Sequence, residues 1–228
     1  MSINGPSKII NDGLVLCLDA ANLKSYNGSG TTWYDLTKNT SGVKAGSQSP
    51  TYPQFTSSGW FNFTGGIVSD NYSRFDVSNI PSFSALSAFA WYRTSDTTAS
   101  KTIIRMDNSD FELSVNNNTN AFYCAGTNWN DIAVSITQAN ATNGKWHYTG
   151  LTFNGTVLNA YFDTVLVGTS TRGSSTTTAA GTLRIGTRDD AYAQHFVGDI
   201  SMVKIYNKVL SASEILRNYN ATKSRYQI

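Results

Sequence analysis

The 228-residue chain is poor in charge: Asp, Glu, Lys and Arg make up 14% of it, against roughly 25% in an average soluble domain. Glutamate is nearly missing, with Glu112 and Glu214 its only occurrences. Two cysteines and two histidines complete the short supply of reactive side chains. Cys17 and Cys124 stand far apart without metal-type spacing, and both read as reduced, buried thiols. The formal net charge is +2 and the Lys and Arg residues are scattered, which leaves no basic footprint for nucleic acid. Residues 14–18, the longest apolar run near the start, fall far below the ~20 residues of a bilayer-crossing helix, so no membrane insertion is expected. The opening MSINGPSKII has no apolar centre of a signal peptide, and secretion by a standard route is not expected.

Aromatic residues, at 12%, and hydrophobic residues, at 40%, are by contrast ample, and they recur in short alternating runs. This composition argues against disorder. From Trp146 to Phe153, His147, Thr149, Leu151 and Phe153 oppose Trp146, Tyr148, Gly150 and Thr152. Period two places the sets on opposite faces of a strand. Asn154-Gly155 then predicts a type I′ turn, which needs positive φ at both central residues. Asp163-Thr164 predicts a second, poorer turn, since a β-branched residue resists positive φ. Residues 14–18 are apolar on both parities and suit a strand covered on both faces. Further strands are expected at residues 60–63, 67–68, 83–93, 103–106, 111–115, 121–125, 132–136, 183–186 and 200–206. Residues 168–181, almost all Gly, Ser, Thr and Ala, read as a polar loop with some edge strand. One helix is expected: Ser211 and Glu214 form a capping box, followed by an apolar stripe of Ile215, Leu216 and Tyr219 ending near Asn220. Many strands with one short terminal helix predict an all-β sandwich, and nothing in residues 1–228 reads as a linker between two cores.

Two segments carry a resemblance. Gly144-Lys145-Trp146-His147-Tyr148, with Phe153-Asn154-Gly155-Thr156 and Leu158-Asn159-Ala160-Tyr161-Phe162-Asp163, resembles the central hairpins of laminin-G-like, concanavalin A-type domains. Leu183-Arg184-Ile185-Gly186, Phe196-Val197-Gly198-Asp199-Ile200 through Asn207, and Leu210-Ser211-Ala212-Ser213-Glu214-Ile215 resemble their closing segment. The resemblance implies a jelly-roll sandwich of two curved antiparallel sheets, with the strand at residues 14–19 pairing near the one at 200–206. The usual Asp-Gly is replaced here by Asp163-Thr164. Gly13-Leu14-Val15-Leu16-Cys17-Leu18-Asp19-Ala20-Ala21-Asn22 and Gly28-Ser29-Gly30-Thr31-Thr32-Trp33-Tyr34-Asp35-Leu36 are also similar to openings of such domains in tailed-phage structural proteins.

A retaining glycosidase needs two carboxylates ~5–5.5 Å apart. Glu214 is accounted for by its helix cap, and Glu112 has only Asp110 sharing its parity. His147 lies in the hairpin motif and reads as structural. Gly-x-Ser-x-Gly, His-Glu-x-x-His and Cys-x-x-Cys motifs are all missing. The chain is therefore expected not to be an enzyme, with a polysaccharide hydrolase or lyase as the lesser reading. Two loops mix aromatic, carboxylate and amide groups in the manner of sugar sites: Trp129 and Asp131 in one, Arg188, Asp189, Asp190, Tyr192 and His195 in the other. The competing reading makes Trp129 a cover for a sheet edge and Asp189-Asp190 a plain turn. No cofactor is required, but calcium often accompanies the resembled family, and Asp19 and Asp199 are its candidate ligands. The resemblance implies a virion surface component (tail fibre, baseplate or capsid-attached part) that adheres to host glycans. Other virion proteins are its expected partners, a purely structural decoration role is the alternative, and homo-oligomerisation is left open.

Overall fold

Those alternating rows become the two faces of a sandwich in the computed structural model, which describes residues 8–45, 52–65, 73–98, 101–107, 111–116, 121–125, 132–133, 138–171, 177–188 and 194–228. Two eight-stranded antiparallel sheets face one another. The first runs β14 (Val165–Thr171), β13 (Val157–Phe162), β12 (Trp146–Phe153), β7 (Leu86–Arg93), β16 (Val197–Tyr206), β5 (Trp60–Thr64) and β4 (Gln54–Thr56). Its eighth strand, β1 (Leu14–Asp19), lies beside the later half of β16, as expected, while β5 takes the earlier half of the same edge. The second sheet runs β11 (Ile132–Ala133), β10 (Ala121–Ala125), β9 (Glu112–Asn116), β8 (Lys101–Met106), β15 (Gly181–Ile185), β6 (Arg74–Ile80), β3 (Ser41–Ala45) and β2 (Thr32–Tyr34). A single turn of helix, α1 (Gln138–Ala141), precedes β12, and α2 (Ala212–Asn220) is followed by a 3-10 turn at Lys223–Tyr226.

Leu151 and Phe153 of β12, Ala88, Ala90 and Tyr92 of β7, and Phe75 and Val77 of β6 meet in one hydrophobic cluster between the sheets. The opposite parity of β7 and β12, Phe89, Trp91, Trp146 and Tyr148, enters a second cluster on the outer side of the first sheet. The cap over it is α2 with its 3-10 turn. Trp91 stacks on Tyr226, ring centroids 4.2 Å apart, and its indole nitrogen donates to Thr222 Oγ1 at 2.9 Å. A sheet covered on both faces explains why residues 14–18 are apolar on both parities. Cys17 and Cys124 are buried and unbridged, as expected.

Several local expectations need correction. The capping box is present, but Leu216 is exposed, and Asn218 joins Ile215 as the buried residue of α2. Asn218 can be buried because Ile10 N donates to its Oδ1 at 2.8 Å and its Nδ2 donates to Tyr206 Oη at 3.0 Å. The β12–β13 turn is not type I′. Asn154 N donates to Val157 O, which makes Gly155, at φ 95°, the first of two central residues, the type II′ position for glycine. Asn154 Oδ1 accepts from the amides of Thr156 and Val157 instead of entering positive φ itself. At β13–β14, both Asp163 (φ 46°) and Thr164 (φ 72°) take positive φ despite the branched threonine. The Asp163 carboxylate offsets that strain: Oδ1 accepts from Tyr148 N at 2.9 Å and Oδ2 lies 2.8 Å from His147 Nδ1. His147 is thus a buried residue that braces the turn. Strands β3, β4 and β6 lay outside the sequence-based set, because their patterns are short or broken by polar residues. Residues 67–68, 134–136 and Asp110 lie outside the described residues.

Candidate functional site

The cap on the first sheet stops short of the ends of β5, β7 and β16. There the outward parity turns polar and an open cleft of about 610 Å³ forms, within the ~300–1,000 Å³ of small-ligand sites. Asn62 of β5, Arg93 of β7 and Asp199 of β16 lie side by side, since Asp199 registers with both Asn62 and Arg93. Thr94, Asp96 and Gly198 complete the part that matters here. Gly198 is at φ 141°, and a Cβ there would lie 2.3 Å from Arg93 O, so only glycine lets β16 approach β7 this closely.

Arg93 is the centre of the arrangement. Its Nε and Nη2 donate to Asp199 Oδ2 at 2.9 and 2.6 Å, while Asn62 Nδ2 donates to Asp199 Oδ1 at 2.9 Å. The guanidinium lies 5.0 Å from the Trp60 ring and 5.1 Å from that of Trp146, and the two indoles meet edge to face. Trp146 also touches Tyr226 of the cap, so the cleft begins where the aromatic cover ends. The second charge is compensated too. Burial works to raise the Asp96 pKa, but hydrogen bonds from Thr98 and the Lys101 ammonium, 3.1 Å away, outweigh it and hold the carboxyl below its usual value. The cleft therefore presents paired charges with spare hydrogen-bonding capacity.

The sequence-selected residues fall elsewhere. Trp129, Asp131, Asp189, Asp190 and Tyr192 lie outside the described residues. Arg188 reaches back to β9, with Nε 3.6 Å from Glu112 Oε2 and Nη1 donating to Gln194 Oε1 at 3.1 Å. Glu112 is buried and also receives Arg105 Nη1 at 3.0 Å, Thr102 Oγ1 at 3.0 Å and the Ser114 hydroxyl. His195 is buried against Thr187 Oγ1 at 2.9 Å, and burial, then the charges of Lys101 and Arg74, lower its pKa. Asp19 lies opposite Met202, three residues from Asp199 along β16, and Arg225 Nη1 contacts both of its carboxylate oxygens at 2.7 Å. The two aspartates thus sit on neighbouring strands, each facing its own arginine. Among the described residues, no group of three or more His, Cys, Asp or Glu side chains is placed to hold a metal.

Arg93, Asn62 and Trp60 were not singled out in the sequence. One signal was available: Arg93 continues the parity of Phe89 and Trp91, so a charge ends a row of outward aromatics. One further group has no obvious role. Lys204, buried under the cap, has no hydrogen-bond partner for its Nζ among the described residues, and burial lowers its pKa; burial likewise pushes the neighbouring Cys17 thiol up to about 11.

The family model described as the concanavalin A-like lectin/glucanases superfamily matches residues 64–216. No curated protein matches the chain by sequence. Among solved structures, a Trypanosoma rangeli sialidase in complex with a difluorinated nononic acid is similar at TM-score 0.64 and 15% identity, over 98% of this chain and 36% of the sialidase. The binding domain of botulinum neurotoxin DC in complex with SialylT is similar at TM-score 0.63 and 16% identity, over 92% of this chain and 52% of that one. The serotype D binding domain gives TM-score 0.63 and 17% identity, over 94% and 52%. The chain thus spans about a third of the sialidase and about half of the toxin binding domains. At these identities the likeness shows the fold. It also corrects the expectation of no enzymatic role: one of the proteins sharing this architecture is a sialidase, an enzyme, while others are binding domains, and no specific activity follows for this chain.

Proposed function

The chain belongs to the concanavalin A-like lectin/glucanase superfamily, and from that premise we propose that it binds saccharides in the cleft of Asn62, Arg93 and Asp199. One observation carries the reading: a fixed donor and a fixed acceptor stand side by side in an open cleft, backed by two indoles. Arg93 spends two of its five N–H donors on Asp199, and the carboxylate still has a lone pair free after three accepted bonds. A sugar hydroxyl is both donor and acceptor, so neighbouring hydroxyls fit this pair. Holding Arg93 and Asp199 in place beforehand reduces the ordering that binding would otherwise require. The structural neighbours captured with a sialyl ligand or a nononic acid support saccharides as the ligand class.

The setting we propose is the surface of a phage-like particle, as a fibre, baseplate or capsid-attached part that adheres to host glycans. Its support is the likeness of the N-terminal segments to tailed-phage structural proteins. A glycan array probed with wild-type protein and with Asn62→Ala and Asp199→Asn tests the binding. The expected result is a defined set of bound glycans, lost in both variants while their melting curves stay cooperative; no bound glycan sinks the reading. Labelling the chain in intact particles under the electron microscope tests the setting, and an internal position would leave only a structural role there.

A further inference from the structure

A second cleft, of about 500 Å³, lies on the loops around β2 and is lined by Lys24, Tyr34, Asp35, Lys38 and Ser41. Its charges are arranged oppositely to those of the first. Among the described residues, neither the Lys24 nor the Lys38 ammonium has a carboxylate partner, and both side chains are exposed. Asp35 lines the same cleft, but its carboxylate is turned into the loop and pairs with neither ammonium among the described residues. Oδ1 accepts from Cys17 N at 2.8 Å and Thr37 N at 3.0 Å; Oδ2 accepts from Asn39 N at 3.1 Å and from the Thr37 hydroxyl. Tyr34, 54% exposed on an edge strand, lines the cleft with them.

The loops that carry the cations are held in place. Lys24 N donates to Asn22 Oδ1 at 3.0 Å, and Ser25 is tied to Tyr34 in both directions, Tyr34 N to Ser25 O at 2.7 Å and Ser25 Oγ to Tyr34 O at 2.5 Å. Lys38 sits at φ 67°, where a side chain is unfavourable, with its amide donating to Asp35 O at 3.0 Å.

We infer that this cleft binds an acidic saccharide, with its carboxylate between Lys24 and Lys38 and its ring against Tyr34. A carboxylate offers acceptors to two ammonium groups, while the C–H face of a sugar ring packs on an aromatic one. The site is separate from the cleft of Arg93 and does not depend on it.

Calorimetric titration of the full chain tests the inference with three probes: an oligouronate, its carboxyl-reduced neutral counterpart, and a sulfated oligosaccharide of equal length. The oligouronate is expected to bind. Lys24→Gln with Lys38→Gln should weaken it at least about tenfold, the scale of losing charged hydrogen bonds, and Tyr34→Ala should weaken it as well. Asp199→Asn should leave this affinity unchanged, so failure here and failure of the Arg93 cleft are told apart. Equal binding of the neutral oligomer, unchanged binding by the double lysine variant, or binding of the sulfated probe alone would each overturn the assignment.

Discussion

The two clefts solve the same problem, holding charge at a surface, in opposite ways. In the Arg93 cleft the charges are internal to the fold: Arg93 ties β7 to β16 through Asp199, and Lys101 holds Asp96. In the Lys24–Lys38 cleft the walls are held by Asp35 and backbone amides, and the cations take no part in that support. A charge that braces its own site is costly to remove. A charge that braces nothing is free for a ligand and is screened by salt.

The widest separation between the two designs should come from Asp35→Ala. It strips acceptors from buried amides of β1 and the β2–β3 loop and should cost about 3 kcal/mol in a denaturant melt. Loss of well under half of that would mean the loop does not depend on this carboxylate. Asp199→Ala comes next. Because Arg93 is about a third exposed, solvent screening limits the expected loss to about 1–2 kcal/mol, and saccharide binding in that cleft should vanish with it.

Lys204 marks a third state of a cation, buried and, among the described residues, unpaired. Lys204→Met should therefore stabilise the protein by about 1 kcal/mol or more, since a buried unpartnered amine is removed without leaving a void. Destabilisation would show that the amine has a partner. A smaller effect should appear with pH. The His195 pKa is lowered, so the fold favours the neutral ring; that stability is present above the usual value near 6.5 and is lost as pH falls through the folded value. Melting temperature should drop between pH 7.5 and 5, and the drop should be shallower in His195→Gln. Least of all, the double change of Lys24 and Lys38 to Gln should move stability by less than about 0.5 kcal/mol, and any larger loss would make those lysines structural after all.

How much was legible beforehand depends on how local the cause is. The central hairpins, the doubly apolar first strand and the capping box of α2 follow from periodicity and short-range hydrogen bonding. The type of the turn after β12 was misread because Asn154 uses its side chain, not its backbone, to close it. The exposure of Leu216 in place of Asn218 depends on Ile10 and Tyr206, which are remote in sequence. Arg188 and His195 were chosen for their loop, and the structure occupies them with Gln194 and Thr187. Asp199 was singled out with Asp19 as a candidate calcium ligand, but its hydrogen-bond partners Asn62 and Arg93 are 137 and 106 residues away.

The sequence by itself determined an all-β sandwich with a capped terminal helix, because period-two alternation and cap chemistry act between residues close along the chain. Only the tertiary structure decided where ligand-ready chemistry lies. It put Trp60, Arg93, Trp146 and Asp199 in one place, and it turned Asp35 inward, so that neither Lys24 nor Lys38 has a carboxylate partner among the described residues. Strand register and loop closure set those distances, and neither is written in any short stretch of residues.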